Sequence, residues 1–252
     1  MTIMAFDEFS QILIESGDLD PDYIFMFRVF EKLKMEPKTK ERWVVLKSAI
    51  YDSTSELEVL LENAELETIK YGNERRKQKR SAKKNIESLQ EFVDSIGGFS
   101  GLPKKAEAAG QALQTVFGIG PWASWKVLDL CETVLGVPID FSSIDFRKAY
   151  EFPLRGLLMI NELPEKAEIL NNNDVYKICM DRAKKLLVRT SELKSRPQLK
   201  RKINLQEIET CLCKYHSYIH GHYKPSQDLN HIKARLMSSS YRSVRDLEDC
   251  LP

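Results

Sequence analysis

Apolar side chains along the chain recur every three to four residues, the period of an α-helix with one buried face. Ile86, Leu89, Phe92, Val93 and Ile96 follow this spacing, and Gly97-Gly98 supplies the residues that close such a helix. Pro21 suits a first helical turn, and the run Tyr23–Phe30 behind it is mostly apolar. Over Glu41–Leu61, Trp43, Val44, Leu46, Leu57, Leu60 and Leu61 lie among charges, with Ser53-Thr54-Ser55 as a break or cap. Ala106–Val116 and Trp125–Leu135 are two further segments rich in helix formers. Alternating β-branched runs and Asn-Gly turns are nearly absent. The pattern predicts an all-α fold, arranged as one helical unit over residues 1–252 or as two lobes of it.

Composition narrows the class without naming it. Hydrophobic residues make up 42% of the 252 and charged residues 30%, the balance of a globular chain rather than a disordered one. The net charge of +1 means that affinity for a polyanion must come from local clusters of cations. No apolar run approaches the roughly 20 residues of a membrane span. The start of the chain is acidic where a secretory signal is basic, so a cytoplasmic location and no membrane partner are expected. Five scattered cysteines, an odd number, read as free thiols.

Two cation clusters stand out. Gly72–Lys84 contains Arg75, Arg76, Lys77, Lys79 and Arg80, a density that suits contact with a phosphate backbone or, equally, a solvated helix face. Arg182–Lys202 holds Lys184, Lys185, Arg189, Lys194, Arg196, Lys200, Arg201 and Lys202, and with Pro197 reads as a helix end and connector.

The most informative segment is Phe117-Gly118-Ile119-Gly120-Pro121-Trp122-Ala123, framed by two helical stretches. Glycine accepts the positive φ of a tight inter-helix turn and lets backbone N–H groups approach a phosphate. Pro121 suits the start of the second helix, whose N-terminus favours an anion. Ile119 is expected to point inward and pin the turn. This segment resembles the helix-hairpin-helix of the base-excision DNA glycosylase superfamily, in which an essential aspartate follows the hairpin at a fixed interval. Asp140 stands 22 residues after Gly118 (140 − 118), in Val137-Pro138-Ile139-Asp140-Phe141-Ser142. The resemblance therefore implies a glycosylase-like helical fold with the hairpin and reaction-centre Asp140 in residues 106–145, and DNA contacts from Gly118, Ile119, Gly120 and Trp122. There are two departures. Trp122 occupies the place of the Schiff-base lysine of bifunctional members, and an indole forms no imine. The cysteine spacings do not match the four-cysteine iron–sulfur loop of other members.

A second motif lies near the C-terminus. The four histidines of the chain all fall between His216 and His231, three of them in Cys211–Asp228. Zinc is one reading, with Cys211, Cys213, His216, His220 and His222 as donors, although the spacing is not that of a standard zinc module. An anion site is the more natural one, with Lys214, His222, Tyr223 and Lys224 as donors and Gly221 permitting close backbone approach. Packing of histidine and aromatic rings at a helix end is the third.

Taken with the hairpin and Asp140-Phe141-Ser142, the pattern Cys213-Lys214, Ser217, Gly221-His222-Tyr223 and Asp228 is similar to the phage amino acid:DNA transferases. These are also described as α-glutamyl/putrescinyl thymine pyrophosphorylases. The similarity runs from about the second helical segment to near residue 236, with residues 203–236 carrying the C-terminal motif. It implies an enzyme in the host cytoplasm, with DNA and an amine donor, amino acid or polyamine, as its partners. The amine displaces pyrophosphate from the 5-methylene of a pyrophosphorylated 5-hydroxymethyluracil already in DNA. It further implies catalytic roles for Asp140, Lys214, His222 and Tyr223, and leaving-group or substrate contacts from Ser142, Arg147, Ser217 and Asp228, with Arg155 a further counter-charge. No resident metal is assigned to the reaction centre, and Mg²⁺ is left open as an aid to the departing anion. Two alternatives stay open at this point: a monofunctional glycosylase that removes a modified or damaged base, and a non-catalytic DNA-binding module.

Overall fold

The protein is described here from a computed structural model covering residues 21–49, 79–148, 151–191, 204–224, 227–240 and 242–251. The described residues form α-helices and short 3₁₀ turns with no strand among them, so the all-α expectation holds. The helices are α1 (Pro21–Leu33), α2 (Pro37–Ala49), α3 (Lys79–Ser95), α4 (Ala106–Leu113), α5 (Pro121–Thr133), α6 (Glu151–Ile160), α7 (Asn173–Ser191), α8 (Leu205–Ile219), α9 (Gln227–Ser238) and α10 (Arg242–Arg245). They divide between two compact units, one built on Asp22–Asp140 with Leu229–Leu251 and the other on Phe141–Asp228.

In the first unit the apolar stripe of α3 is buried through Leu89 and Val93, and Gly97 and Gly98, both at positive φ, end the helix. Phe30 of α1 meets Trp43 of α2 edge to face, with ring centroids 5.1 Å apart. The C-terminal segment is tied back to α1: Arg28 donates to the Leu251 carbonyl, and Lys32 pairs with Asp249 at 2.7 Å. The part of Glu41–Leu61 beyond residue 49, with the Ser53-Thr54-Ser55 break, lies outside the described residues.

The second unit is organised around α6 against α8, with α7 packed on both. Their close crossing depends on Gly156: a Cβ there would stand 2.1 Å from the Leu212 carbonyl oxygen, far inside contact distance. The start of α8 is fixed by a capping box, in which Asn204 Oδ1 accepts from the Gln206 N–H at 2.8 Å and Glu207 Oε2 accepts from the Asn204 N–H at 2.7 Å. All five cysteines are free thiols, as their odd count suggested.

Candidate active site

The segment between α4 and α5 turns through Val116–Gly120. Gly118 sits at φ +78°, the left-handed conformation expected of a tight turn. Gly120 differs from that expectation. It is extended, at φ −90° and ψ −177°, and serves as the N-cap of α5, with Pro121 in the first turn behind it. A Cβ added at Gly120 would meet nothing within 4 Å, so the backbone there faces open space. Ile119 is buried, as expected of the residue that pins the turn. Trp125 is also buried and belongs to the core, while Trp122 is half-buried.

Helix α3 braces this turn, through residues that the sequence reading did not single out. Asn85 donates its side-chain N–H to the Phe117 carbonyl, and the Phe117 N–H donates to Ser88 Oγ at 3.1 Å. The Lys84 ammonium lies 4.3 Å from the centroid of the exposed Phe117 ring. Of the basic run, Arg75, Arg76 and Lys77 lie outside the described residues, and Lys79 and Arg80 open α3.

Asp140 is placed by its backbone. Helix α5 ends at Thr133, Gly136 at φ +68° turns the chain beyond it, and the Val137 N–H returns to the Cys131 carbonyl at 3.0 Å. This cap sends the chain out in extended form, with Val137, Ile139 and Phe141 buried and Pro138 and Asp140 exposed between them. The alternation is the period of an extended strand, and it turns the Asp140 side chain outward. Two backbone hydrogen bonds lock the register: Asp140 N–H to the Lys104 carbonyl at 2.6 Å, and Ala106 N–H to the Asp140 carbonyl at 3.0 Å. Ala106 is the first residue of α4, so this carboxylate is tied to the start of the helix that leads into the Gly118–Gly120 turn.

The second unit gathers the C-terminal motif. In α8, His216 and His220 lie one turn apart, and both point Nε2 at Glu165, from the loop after α6. His216 is 3.1 Å from Oε2; His220 is 3.2 Å from Oε1 and 3.1 Å from Oε2. Burial and the neighbouring His220 push the His216 imidazole below its usual pKa. Burial alone would raise the Glu165 carboxyl, but hydrogen bonding from His220 and the proximity of both imidazoles outweigh it and hold that carboxyl below its usual value. After α8, Gly221 at φ +71° turns the chain, so that the N–H groups of His222 and Tyr223 both return to the Ser217 carbonyl, at 2.8 and 3.2 Å. Tyr223 is buried beneath Lys214, whose ammonium lies 4.4 Å from the ring centroid. The His220 and His222 rings stack 6.4 Å apart.

Other expected contacts fall as follows. Arg147 is held in a two-pronged pair with Asp145, Nε to Oδ1 and Nη2 to Oδ2 each at 2.9 Å, and lies 4.0 Å over the Tyr176 ring. That pairing outweighs the effect of burial and keeps the Asp145 carboxyl below its ordinary pKa. Arg155 pairs with Glu151 one turn away on α6. Ser142 is exposed, and the side chain of Asp228 lies outside the described part. The zinc donor set considered from sequence is not the one gathered here. Cys211 is buried in the core, and among the described residues the side chains that converge at metal-ligand distance are Glu165, His216 and His220.

Residues 6–224 match the family described as amino acid:DNA transferase. This chain belongs to that family. The match begins earlier and ends earlier than the sequence similarity suggested. It takes in the hairpin, Asp140, Glu165 and the Lys214–Tyr223 motif, and it stops before Asp228. A glycinyltransferase of Pseudomonas phage PaMx11 is 28% identical to this amino acid:DNA transferase family member over 128 residues, 45% of this chain and 42% of the relative. The aligned segment thus spans less than half of either protein. No described helix is long and apolar enough to cross a membrane.

Proposed function

We propose that the protein joins an amino acid to a base already in DNA, by displacing pyrophosphate from the 5-methylene of a pyrophosphorylated 5-hydroxymethyluracil. The observation that carries this reading is the lock on Asp140. Its backbone is hydrogen-bonded on both sides to residues 104–106, and its side chain is turned to solvent, in a chain whose family is amino acid:DNA transferase. Glycine is the first amine to test, because the phage relative is named a glycinyltransferase.

Two chemical requirements give the residues their roles. DNA must be held by its backbone, and the exposed glycines Gly118 and Gly120 with the N-terminus of α5 suit a phosphate oxygen. A glycosylase-like scaffold would extrude the target nucleotide, at a cost of a few kcal/mol. The amine must attack unprotonated, although amines are mostly protonated at neutral pH. Asp140 is the proton acceptor in this reading, and its negative charge also favours positive charge developing on the methylene as the leaving group departs. Pyrophosphate carries several negative charges as it leaves, and Lys214 and His222 are the donors assigned to it by their chemistry.

The test is direct. DNA carrying 5-pyrophosphoryloxymethyluracil is incubated with the protein and a panel of amines that includes glycine and putrescine, then digested to nucleosides for mass spectrometry. A glycine adduct on the modified thymidine, with release of pyrophosphate, is expected. Release of a free base with no adduct would replace this reading with a glycosylase.

A further inference from the structure

We propose that Glu165, His216 and His220 form an open binding site for one divalent transition-metal ion, with Zn²⁺ the best match to the donors. This rests on the geometry of the three side chains and not on the transferase reading, so metal can bind even where transfer fails.

The three ligand atoms all lie within 4.8 Å of one another. Tetrahedral zinc with ligands at about 2.0–2.2 Å places neighbouring ligand atoms roughly 3.3–3.6 Å apart. The Nε2-to-carboxylate distances of 3.1, 3.1 and 3.2 Å need to open by only a few tenths of an ångström to admit the ion. Two imidazoles with one carboxylate are donors that suit zinc better than magnesium or calcium, which prefer oxygen alone.

The scaffold fixes the donors before any ion arrives. His216 and His220 share one face of α8 at i, i+4. The His216 ring is buried and packs against Phe152, with centroids 5.4 Å apart, and its Nε2 faces Glu165. Glu165 and His220 are 31% and 41% exposed, and the ion would be reached from solvent. Three protein donors with an open face are the arrangement of a catalytic rather than a structural zinc site, leaving a position for water or an oxygen anion. Among the described residues the buried Nδ1 of His216 has no hydrogen-bond partner, so none of them serves as an outer acceptor that orients the ring. The affinity is therefore expected to fall about 10–100-fold below that of a fully supported site.

The experiment uses the full chain, stripped with chelator and then titrated with Zn²⁺ by calorimetry and with Co²⁺ by visible absorption. One ion per chain is expected, with the intense d–d bands of four- or five-coordinate cobalt. Glu165→Gln and His220→Asn change side chains that are at least partly open to solvent, and each should weaken binding at least tenfold while circular dichroism shows the helices intact. Inorganic pyrophosphate should shift the cobalt bands by taking the open position. No saturable binding, or equal binding by the Glu165→Gln/His220→Asn double variant, would overturn the site. A thiolate charge-transfer band would overturn the donor set by bringing in cysteine, and bands indifferent to pyrophosphate would overturn the open position.

Discussion

The two glycines of the α4–α5 turn separate folding from DNA contact, because their surroundings are opposite. At Gly118, alanine would be held at φ +78°, which costs an L-residue about 1–2 kcal/mol, and its Cβ would stand 3.0 Å from Asn85 Nδ2. Asn85 is also the side chain that holds the Phe117 carbonyl, so it has little freedom to retreat. At Gly120 a methyl group meets open space and φ is −90°, so neither strain nor overlap arises. Alanine is a poorer N-cap than glycine by about 0.5–1 kcal/mol, but it removes a similar amount of unfolded-state freedom, and the two nearly cancel. Gly118→Ala should therefore lower the melting temperature by roughly 2–8 °C, and Gly120→Ala by less than about 2 °C. DNA binding should rank them the other way. A methyl at Gly120 intrudes where a phosphate must approach, and losing one N–H bond to a charged oxygen is worth about 1.5–3 kcal/mol, a factor of roughly 10 to 100. Scanning fluorimetry and fluorescence anisotropy with labelled duplex, at fixed salt, measure the two effects separately. A Gly120→Ala protein that melts normally and binds DNA normally would refute the assignment of this turn to the DNA backbone.

Asp140→Asn should leave the fold and DNA affinity intact while slowing amine transfer by about 10²–10⁴-fold, as single-turnover mass spectrometry would show; transfer at the wild-type rate would remove Asp140 from the reaction. Gly156→Ala, with its Cβ 2.1 Å from the Leu212 carbonyl, should cost about 1–3 kcal/mol by forcing α6 from α8, and an unchanged urea midpoint would contradict that crossing. Asp145→Asn should cost about 1.5–3 kcal/mol at neutral pH by leaving Arg147 without its carboxylate. Because the folded Asp145 pKa lies below its usual value, the pair's stabilisation is present above about pH 4 and fades as pH falls through the folded pKa. The two proteins should accordingly converge in strong acid, and a constant gap in unfolding free energy across that range would show that Asp145 acts through packing instead. Neutralising Arg75, Arg76, Lys77, Lys79 and Arg80 together should weaken DNA binding and flatten its dependence on salt; unchanged binding would return the run to solvated surface.

What was legible in the sequence was what period and local chemistry determine. The i, i+3, i+4 stripe of α3 and its Gly97-Gly98 stop were readable because a helix and its cap are properties of a few adjacent residues. The alternation around Asp140 was readable for the same reason. The pairing of that segment with residues 104–106 was not readable. A parallel bridge outside any sheet leaves no period, and the partners lie 34 to 36 positions apart. The bracing of the turn by Asn85 and Ser88 was hidden in the same way, since a polar residue on a helix gives no sign of which loop it will meet.

Glu165 shows the limit most clearly. His216 and His220 announce a shared helix face by their spacing alone, and the cysteines one and two turns before them invited a zinc reading built from neighbours in sequence. Yet Cys211 is buried in the core, and the third donor comes from a loop 51 residues upstream that follows α6, the helix that crosses α8 closely at Gly156. That crossing is set by the absence of a side chain, which no motif records. It follows that the same substitution, Gly156→Ala, should loosen both the packing of the second unit and the convergence of Glu165 on the two imidazoles. If cobalt binding survives in Gly156→Ala unchanged, the donors are gathered by the loop itself and not by the helix crossing.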